Sequence, residues 1–447
     1  MDLWFHSVSL ISEKCKGCTN CIKHCPTEAI RVRDGKARIN SERCIDCGEC
    51  IRFCENHAKQ AVEDSLESLL PYQYTIALPA PTLLGQFKDG VTPAQILGAL
   101  KAIGFDKVFE TGLGADYTTI ALRQFLKTAR PHLPYISSAC PSVVRLIQVR
   151  FPGLINHLVP VEAPMMTAAK LAREEAVKET GLHPGKIGVF FITPCPAKIT
   201  DIKSSSLLNG DLINGAVSIT QIYGQMQQII LNGKYDLIEP QNSPVGLGWS
   251  KAGGENAAIQ GENQLWVDGI HNVVNLLEAI EMGKLDEVNY IEALACSGGC
   301  IGGALTVENP FVARLKIQKL IQSQKLPDVS TDTVQKAEGY FKEHFFDTNL
   351  NVTPKPMLQL DQDLGQAIQK MELLEATAKS LPGLDCGSCG SPTCRALAED
   401  VVLGKAQVFD CVFKLREEVS NLAQELLQLS QKLPPAMGIN EKKDDRK

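Results

Sequence analysis

Sixteen of the 447 residues are cysteines, and they occur in three groups. Eight lie within the first 54 residues, four are spread between positions 140 and 300, and four lie between positions 386 and 411. Thiolates bind soft metal ions and iron–sulfur clusters. Where thiols stay reduced, as they do in the cytoplasm, so many cysteines favour metal centres over disulfides. The grouping therefore predicts several separate metal centres.

The first group repeats one motif, CKGCTNCIKHCP followed by CIDCGECIRFCE. The spacing C-x2-C-x2-C-x3-C is typical of chains that hold two [4Fe–4S] clusters, because three thiolates of one loop bind one cluster and the fourth binds the other. A zinc module is the alternative, but two complete copies of the spacing favour iron. The predicted ligand sets are Cys15, Cys18, Cys21 and Cys54 for one cluster, and Cys44, Cys47, Cys50 and Cys25 for the other.

The last group lies in DCGSCGSPTCRALAEDVVLGKAQVFDC. This stretch resembles the small helical [4Fe–4S] domain of several anaerobic redox proteins. Zinc remains an alternative, because four thiolates also suit tetrahedral Zn²⁺; the neighbouring iron–sulfur motifs favour iron. The predicted ligands are Cys386, Cys389, Cys394 and Cys411.

The middle of the chain must position the remaining four cysteines. From about residue 70, short apolar runs such as YTIALPAP and KIGVFFITPCPAK alternate with helical patterns such as TPAQILGALKAIG. This alternation predicts an α/β fold with largely parallel strands covered by helices. Ligands of such sheets bind beyond the carboxyl ends of the strands. Cys140 and Cys195 follow predicted strands, and Cys296 and Cys300 lie among glycines in EALACSGGCIGGA, so the four could converge on one further cluster.

Three of these segments resemble the sequence signatures of the [FeFe]-hydrogenases. They are SSACP, TPCPAK and EALACSGGCIGGA, and the resemblance covers residues 1 to roughly 320. It implies an H-cluster, in which Cys140, Cys195, Cys296 and Cys300 hold a [4Fe–4S] cluster. Cys300 would also bridge to a two-iron subcluster that carries CO, cyanide and a bridging azadithiolate.

Two further features follow the same resemblance. Lys198 matches the family lysine that hydrogen-bonds a cyanide, a role suited to an ammonium beside an anion; a solvated surface lysine is the alternative. The stretch SPVGLGWSKAGGENA resembles the family's glycine-rich segment near the active site.

The first signature departs from that of catalytic members, which have two adjacent cysteines and pass protons through the first of them. Ala139 occupies that position. A methyl group cannot carry a proton, whereas a thiol with a pKa near ~8.5 can. Thr193 and Leu294 stand where methionines are usual. Apolar residues also stand where we expect the glutamates of the relay, namely Ala121, Leu122 and Phe125.

Loss of a positioned proton relay should slow turnover, because such transfer contributes about 10²–10⁴-fold in rate. Glu162 or Glu255 could provide a substitute path, although a structural carboxylate explains either residue as well. The departures resemble the sensory branch of the family. We therefore expect slow, reversible oxidation of H2 to protons and electrons, and transfer of those electrons to a redox or signalling protein. The alternatives are a non-catalytic iron–sulfur assembly protein and an ordinary hydrogenase with another proton route.

The C-terminal segment VFKLREEVSNLAQELLQLSQKL has apolar residues at alternating spacings of three and four. This heptad pattern predicts either a helix packed on its own domain or a coiled coil that makes a homodimer. The predicted domains are a two-cluster ferredoxin-like domain at 1–62, a two-lobed H-cluster domain at 70–355, a small helical [4Fe–4S] domain at 375–411, a heptad helix at 412–433 and a disordered tail at 434–447.

Composition and the N-terminal residues argue against nucleic-acid-binding, membrane-spanning and secreted proteins. The net charge of −6 argues against a nucleic-acid-binding surface, which would be basic. No apolar run reaches the ~18 residues that a membrane span needs. The first residues lack a basic stretch followed by a long apolar one, so no secretory signal is predicted. We therefore expect a cytoplasmic protein.

Overall fold

The computed structural model describes residues 5–128, 134–204, 212–323, 326–348, 352–355, 357 and 360–432. Its contacts divide the chain into two compact units. The first comprises Met1–Ala29 and Ile39–Met357, and the second comprises Ile30–Arg38 and Leu358–Lys447. Leu433 and the predicted tail at 434–447 lie outside the described residues.

The strands and helices are numbered in chain order. The strands are β1 (Val8–Leu10), β2 (Ile30–Arg33), β3 (Lys36–Ile39), β4 (Lys59–Ala61), β5 (Tyr74–Pro79), β6 (Lys107–Val108), β7 (Tyr135–Ile136), β8 (Ile187–Thr193), β9 (Gly215–Ser218), β10 (Gln264–Asp268) and β11 (Tyr290–Leu294). The helices are α1 (Asn20–Lys23), α2 (Glu49–Arg52), α3 (Pro93–Ala102), α4 (Thr111–Thr128), α5 (Pro141–Arg150), α6 (Pro164–Thr180), α7 (Pro196–Lys203), α8 (Ile219–Asn232), α9 (Pro244–Gly248), α10 (Gly254–Ile259), α11 (Ile270–Glu281), α12 (Pro310–Gln322), α13 (Thr331–Lys342), α14 (Leu364–Ser380), α15 (Cys394–Val402) and α16 (Val412–Gln431).

Two parallel sheets form the centre of the first unit. One has the strand order β6-β5-β8-β9, and the other has the order β10-β11-β7. All seven residues of β8 are buried, as expected for a strand covered on both faces. The predicted α/β class with largely parallel strands is confirmed.

Alternation along the strands explains how helices cover both faces of each sheet. In β5, Ala77 belongs to the core that includes residues of α3, α8 and α12, whereas Ile76 and Leu78 belong to the core that includes residues of α6 and α7. In β11, Ile291 packs with residues of α5 and α11, and Tyr290 packs with residues of α4 and α13. Each sheet thus separates two apolar layers, which fixes the positions of its strand ends.

Proline starts the helices that follow two of these strands. Pro141 opens α5 after β7, and Pro196 opens α7 after β8. Proline suits the first helical position because its missing N–H has no intrahelical partner there. Cys140 and Cys195 are consequently the residues that cap the two helices. The strand–turn–helix geometry therefore positions two of the predicted ligands.

The second unit joins a hairpin to the C-terminal part of the chain. Strands β2 and β3 pair across a tight turn at Asp34 and Gly35, whose φ angles are +53° and +71°. Positive φ at both turn residues is typical of a type I′ hairpin. The backbone N–H of Val32 donates to Gly390 O at 2.7 Å. The sequence analysis placed this hairpin in the N-terminal domain and missed its contacts with residues after 358.

The unit ends in α16, a helix of 20 residues that buries none of its side chains. Its apolar residues are therefore on the surface of the described chain. None of the described helices combines the length and the apolar character that a bilayer crossing requires.

Candidate functional site

A cavity of about 60 Å³ lies where strands of both parallel sheets end. Ala80 after β5, Pro194 after β8 and Leu294 at the end of β11 contribute to its wall. Ala139 and Cys300 also line it. The cavity therefore occupies the position beyond the carboxyl strand ends at which α/β folds bind ligands.

The four cysteines predicted to share a cluster are close together at this cavity. Burial raises the pKa of the Cys195 thiol to about 12, and the neighbouring thiols of Cys140 and Cys300 add to the increase. The pKa of Cys296 is also raised by burial, and the thiols of Cys195, Cys140 and Cys300 add to the increase. Segments more than 150 residues apart thus meet at one point.

This set of donors fits a thiolate-bound iron–sulfur cluster. Clustered thiols with raised pKa values would stay protonated on their own, whereas metal ions stabilise their thiolate forms. Cys140 and Cys195 also cap helix N-termini, whose positive dipole ends favour a negative ligand. Cys140, Cys195, Cys296 and Cys300 are each only partly buried. The residues present therefore suit the group that the sequence predicts.

Glycines of the third signature allow its loop to pack closely against the protein. A Cβ at Gly299, whose φ is +88°, would lie 2.6 Å from the backbone N of Ala252. A Cβ at Gly303 would lie 2.4 Å from the carbonyl oxygen of Pro194. Only glycine fits at such distances. The close neighbours here are other parts of the backbone, and their approach brings the loop with Cys300 beside Cys195.

Lys198 lies in the first turn of α7 and lines the cavity together with Cys300. Its Nζ is 5.6 Å from the centre of the Phe191 ring. No residue of the described chain accepts a hydrogen bond from this ammonium. Its positive charge opposes the burial-driven increase in the pKa of Cys300. Lys198 is therefore a cavity residue rather than a solvated surface lysine.

The positions of the sequence departures can now be stated. Ala139 presents a methyl group to the cavity, and Leu294 lines it as well. Thr193 is buried, and its hydroxyl accepts a hydrogen bond of 3.1 Å from the backbone N of Cys195. The three apolar residues at expected relay positions lie in or against one apolar core, namely Ala121, Leu122 and Phe125.

Two buried glutamates face the cavity beside Ala139. Glu255 accepts hydrogen bonds from the Ser137 hydroxyl at 2.9 Å and from the Tyr290 hydroxyl at 2.5 Å. Glu292 accepts two backbone N–H bonds of 2.9 Å from Gly253 and Asn256. Burial raises the pKa of both carboxyl groups, and their mutual repulsion raises that of Glu255 further. The pair can therefore hold a proton near neutral pH.

The other predicted substitute has a structural role. Glu162 is buried and pairs with Lys170 at 2.7 Å. Burial raises the pKa of its carboxyl group, and Lys170 opposes that increase. The cavity wall does not include Glu162. Sequence analysis missed Glu292 and Tyr290, although a single acidic residue within the buried strand YIEAL is a signal that could have identified Glu292.

The N-terminal cysteines form the two predicted neighbourhoods. The pKa of Cys21 is raised to about 11 by burial, and Cys18, Cys15 and Cys54 add to it. The pKa of Cys47 is raised by burial and by Cys25 and Cys50. The fourth cysteine of each repeat thus lies with the first three of the other, in the arrangement expected for two clusters.

The C-terminal cysteines line a smaller pocket together, namely Cys386, Cys389, Cys394 and Cys411. Cys386 is exposed and Cys411 is buried. Arg33 of the hairpin donates to the carbonyl oxygen of Cys389 and to the Ser391 hydroxyl, each at 3.0 Å. It also pairs with Asp400 at 2.8 Å. These contacts hold the loop that carries the first two cysteines.

Comparison with protein families agrees with this geometry. The family described as iron only hydrogenase large subunit, C-terminal domain, matches residues 73–228 and 250–304. A 4Fe-4S dicluster domain family matches residues 7–55, and an Fe–S cluster family matches residues 381–413. The chain belongs to the [FeFe]-hydrogenase family. The three family matches also support iron–sulfur cofactors, and they confirm the resemblance that the sequence predicted.

Individual relatives are distant. Iron hydrogenase 1 of Clostridium pasteurianum is 24% identical over 52% of this chain and 50% of its own length, so the match spans about half of that relative. A probable cytosolic Fe–S cluster assembly factor of Drosophila ananassae is 22% identical over 66% of this chain and 74% of its own length. A variant of the [FeFe]-hydrogenase of Chlamydomonas reinhardtii aligns with a TM-score of 0.51 at 14% identity, covering 65% of this chain and 98% of that structure. The fold is therefore that of the hydrogenases.

Proposed function

We propose that this chain is a sensory [FeFe]-hydrogenase that binds H2 and slowly and reversibly oxidises it to protons and electrons. The observation that supports this most is the composition of the cavity wall. Cys300 and Lys198, which match the family signatures, lie there beside Ala139, which cannot pass protons as a cysteine does. The site is built to hold the reactive group, but the usual relay is missing.

The chain's own residues have separable roles in this proposal. Cys140, Cys195, Cys296 and Cys300 would hold the [4Fe–4S] part of an H-cluster, and Cys300 would also bind the two-iron part that carries CO, cyanide and an azadithiolate. When bound, that two-iron group supplies the position at which H2 reacts. Lys198 orients it, because a fixed ammonium donates hydrogen bonds to an anionic ligand. The apolar wall keeps water away from this contact.

Glu255 replaces the missing proton relay in this proposal. Its carboxyl group lines the cavity, and its raised pKa suits a group that accepts and returns protons near neutral pH. Tyr290 and Ser137 keep it oriented through their hydroxyl groups. Glu292 lines the same cavity and offers a second position for the proton.

The other twelve cysteines would hold three accessory [4Fe–4S] clusters, two N-terminal and one C-terminal, which would supply the path for electrons. The exposed Cys386 suits exchange with a redox or signalling protein, because electron transfer needs close approach of the two centres. The expected location is the cytoplasm, where the cysteines remain reduced until they bind iron.

The proposal includes a parallel homodimer through α16. The stripe residues Leu415, Val419, Leu422, Leu426 and Leu429 are between 47% and 67% exposed. Val412, Val419 and Leu426 occupy a positions. Leu415, Leu422 and Leu429 occupy d positions, and valine at a with leucine at d favours two parallel strands. A second copy of the chain would bury the stripe.

Infrared spectroscopy tests the proposed active site directly. The chain is supplied with the two-iron cofactor, and spectra are recorded under argon and then under H2. We expect metal-bound CO and cyanide bands that shift with H2. Lys198→Met should weaken retention of these bands, whereas Lys203→Met, a lysine at the other end of α7 that pairs with Asp64, should not.

A non-catalytic iron–sulfur assembly protein is the second candidate. The match to the Drosophila assembly factor, which is 22% identical over 66% of this chain, favours it. This reading predicts iron bound in multiples of four but no CO or cyanide bands. That result would contradict the hydrogenase proposal. Bands together with fast turnover would instead indicate an ordinary hydrogenase with another proton route.

A further inference from the structure

The two copies of the N-terminal repeat differ at one buried position, where one copy has an apolar side chain and the other has a charged one. In each copy, the fifth residue after the last cysteine begins a strand. In CPTEAI this residue is Ile30, and in CENHAK it is Lys59. Both side chains are buried, at 2% and 5% exposure. A lysine therefore occupies a core position that the other repeat fills with an apolar side chain.

The backbone shows that the two positions are structurally equivalent. The backbone N of Ala29 donates to the Cys25 sulfur at 3.2 Å, and the backbone N of Ala58 donates to the Cys54 sulfur at the same distance. The residues before these alanines, Glu28 and His57, both have positive φ angles, of 50° and 47°. The chain thus makes the same turn twice. The burial of Lys59 follows from this turn and is not the result of a local distortion.

The ammonium of Lys59 lacks a partner within the described protein. Its Nζ is buried and has no hydrogen-bonding partner, and no ion pair of the described residues includes it. A buried, unpaired charge is strongly unfavourable unless an opposite charge lies close by. Nearby thiols indicate where that charge would come from. Lys59 interacts electrostatically with the thiols of both Cys21 and Cys50, and the backbone N–H of its neighbour Ala58 contacts the Cys54 sulfur.

Cys21 and Cys50 belong to different predicted ligand sets. Four thiolates around a [4Fe–4S] cluster give the assembly a net negative charge, which increases when the cluster is reduced. A buried ammonium beside both sets therefore stabilises the reduced form of each cluster more than the oxidised form. Low local polarity makes this effect larger than that of a solvated lysine.

We infer that Lys59 is a positioning residue whose buried ammonium serves both N-terminal clusters and raises the reduction potential of each. The inference depends on the proposed ligand sets, but it goes beyond them by assigning an electrostatic partner that the cysteine motif does not contain. Both clusters then accept electrons from H2 more readily than they would with an apolar residue such as Ile30 at this position.

Redox titration followed by electron paramagnetic resonance tests this inference on the full chain loaded with its [4Fe–4S] clusters. In Lys59→Met, two of the four reduction waves should move to lower potential by 59 mV or more, which is a tenfold change in a one-electron equilibrium. The other two should keep their potentials. Lys59→Arg, which keeps the positive charge, should keep both reduction potentials close to those of the unmodified protein.

Lys16→Met is the matched control, because Lys16 lies between Cys15 and Cys18 but is exposed to solvent. Its removal should move the potentials much less. Unchanged waves in Lys59→Met, or an equal shift in both lysine variants, would overturn the inference. If the unmodified protein binds less iron per chain than four [4Fe–4S] clusters contain, the ligand assignment would instead be contradicted.

A measurement on the unmodified chain covers the case in which Lys59→Met does not assemble its clusters. The chain is labelled with lysine that carries ¹⁵N only at Nζ, and the reduced clusters are examined by pulsed paramagnetic resonance. A ¹⁵N coupling that persists in both Lys16→Met and Lys198→Met is expected, because the Lys198 ammonium lies beside the central cysteines. Its absence would show that the Lys59 ammonium does not lie beside the clusters, and would overturn the inference.

Discussion

The central and C-terminal cysteine sites contain the same number of thiols in opposite surroundings. The central thiols adjoin a cavity whose wall is built by two parallel sheets and their helices. The C-terminal thiols include the exposed Cys386 and lie beside the first turn of α16, a helix with no buried side chain. The comparison indicates that the donor set alone does not decide function. In the proposed function, the exposure of Cys386 distinguishes the site of electron exchange from the site of reaction.

The polar residues around the two sites also act differently. At the central site, Lys198 and Glu255 line the cavity. At the C-terminal site, Arg33 is directed at the backbone of Cys389 and at Asp400. The first arrangement acts on a ligand, and the second holds a loop in place. Variants at the two sites should therefore change different properties.

The largest expected effect is at Ala139. Ala139→Cys places a titratable thiol in the cavity wall at the position of the missing relay, and should raise turnover by about 10²-fold or more. The measurement is H2 oxidation with an artificial electron acceptor, expressed per loaded two-iron site. Ala139→Ser is the control, because its hydroxyl has a similar size but does not titrate near neutral pH. Equal rates in both variants would show that proton delivery does not limit this protein.

The second prediction tests whether Glu255, of the buried pair Glu255 and Glu292, accepts the proton. Glu255→Gln removes the proposed proton acceptor and should lower turnover by about 10²-fold. Glu162→Gln is the control, because that glutamate is equally buried but pairs with Lys170 away from the cavity. Similar losses in both variants would indicate a general effect of buried charge and would contradict the relay.

The same pair predicts a pH dependence. Burial raises the pKa of Glu255 to about 8 from the ordinary 4.5. A proton acceptor must be deprotonated, so the rate of H2 oxidation should increase as the pH rises toward 8. This increase should be absent in Glu255→Gln.

The raised pKa of Glu255 also predicts a pH dependence of stability. The native protein keeps a proton that the unfolded chain releases, so the free energy of unfolding should fall as the pH rises from 4.5 to about 8. Thermal unfolding of wild type and variant at several pH values checks this prediction.

Surface helix α16 provides the third test. Leu422→Glu places a charge at a d position and should weaken dimerisation by roughly 30-fold or more, because about 2 kcal/mol of apolar burial is lost. Asn421→Glu on the neighbouring exposed face should leave the mass unchanged. Light scattering over a range of concentrations measures both. Wild-type chain that remains monomeric at high concentration would exclude the dimer.

Some parts of the sites can be predicted from the sequence better than others. The difference depends on how far apart in the sequence the interacting residues lie. Cysteine spacing identifies the twelve ligand candidates of the N-terminal and C-terminal groups, because a cluster demands local geometry. The four central candidates came from the family resemblance. Apolar runs predict the parallel sheets, since strands covered on both faces lack alternation. The partners of Glu255 could not be predicted, because Tyr290 reaches it from 35 residues away. Neither could Asp400, which binds Arg33 across 367 residues.

The smallest expected effect concerns that last contact. Arg33→Met removes three interactions of its guanidinium and should destabilise the second unit by about 1.5 kcal/mol, since hydrogen bonds to charged groups contribute about that much or more. The C-terminal cluster should then be lost to a chelator roughly tenfold faster, while the central site keeps its infrared bands. Arg38→Met, in the same hairpin, removes only an exposed pair with Asp34 and should change neither rate. Faster loss of the central group in Arg33→Met would contradict the separation of the two sites, because the contacts of Arg33 lie entirely within the second unit.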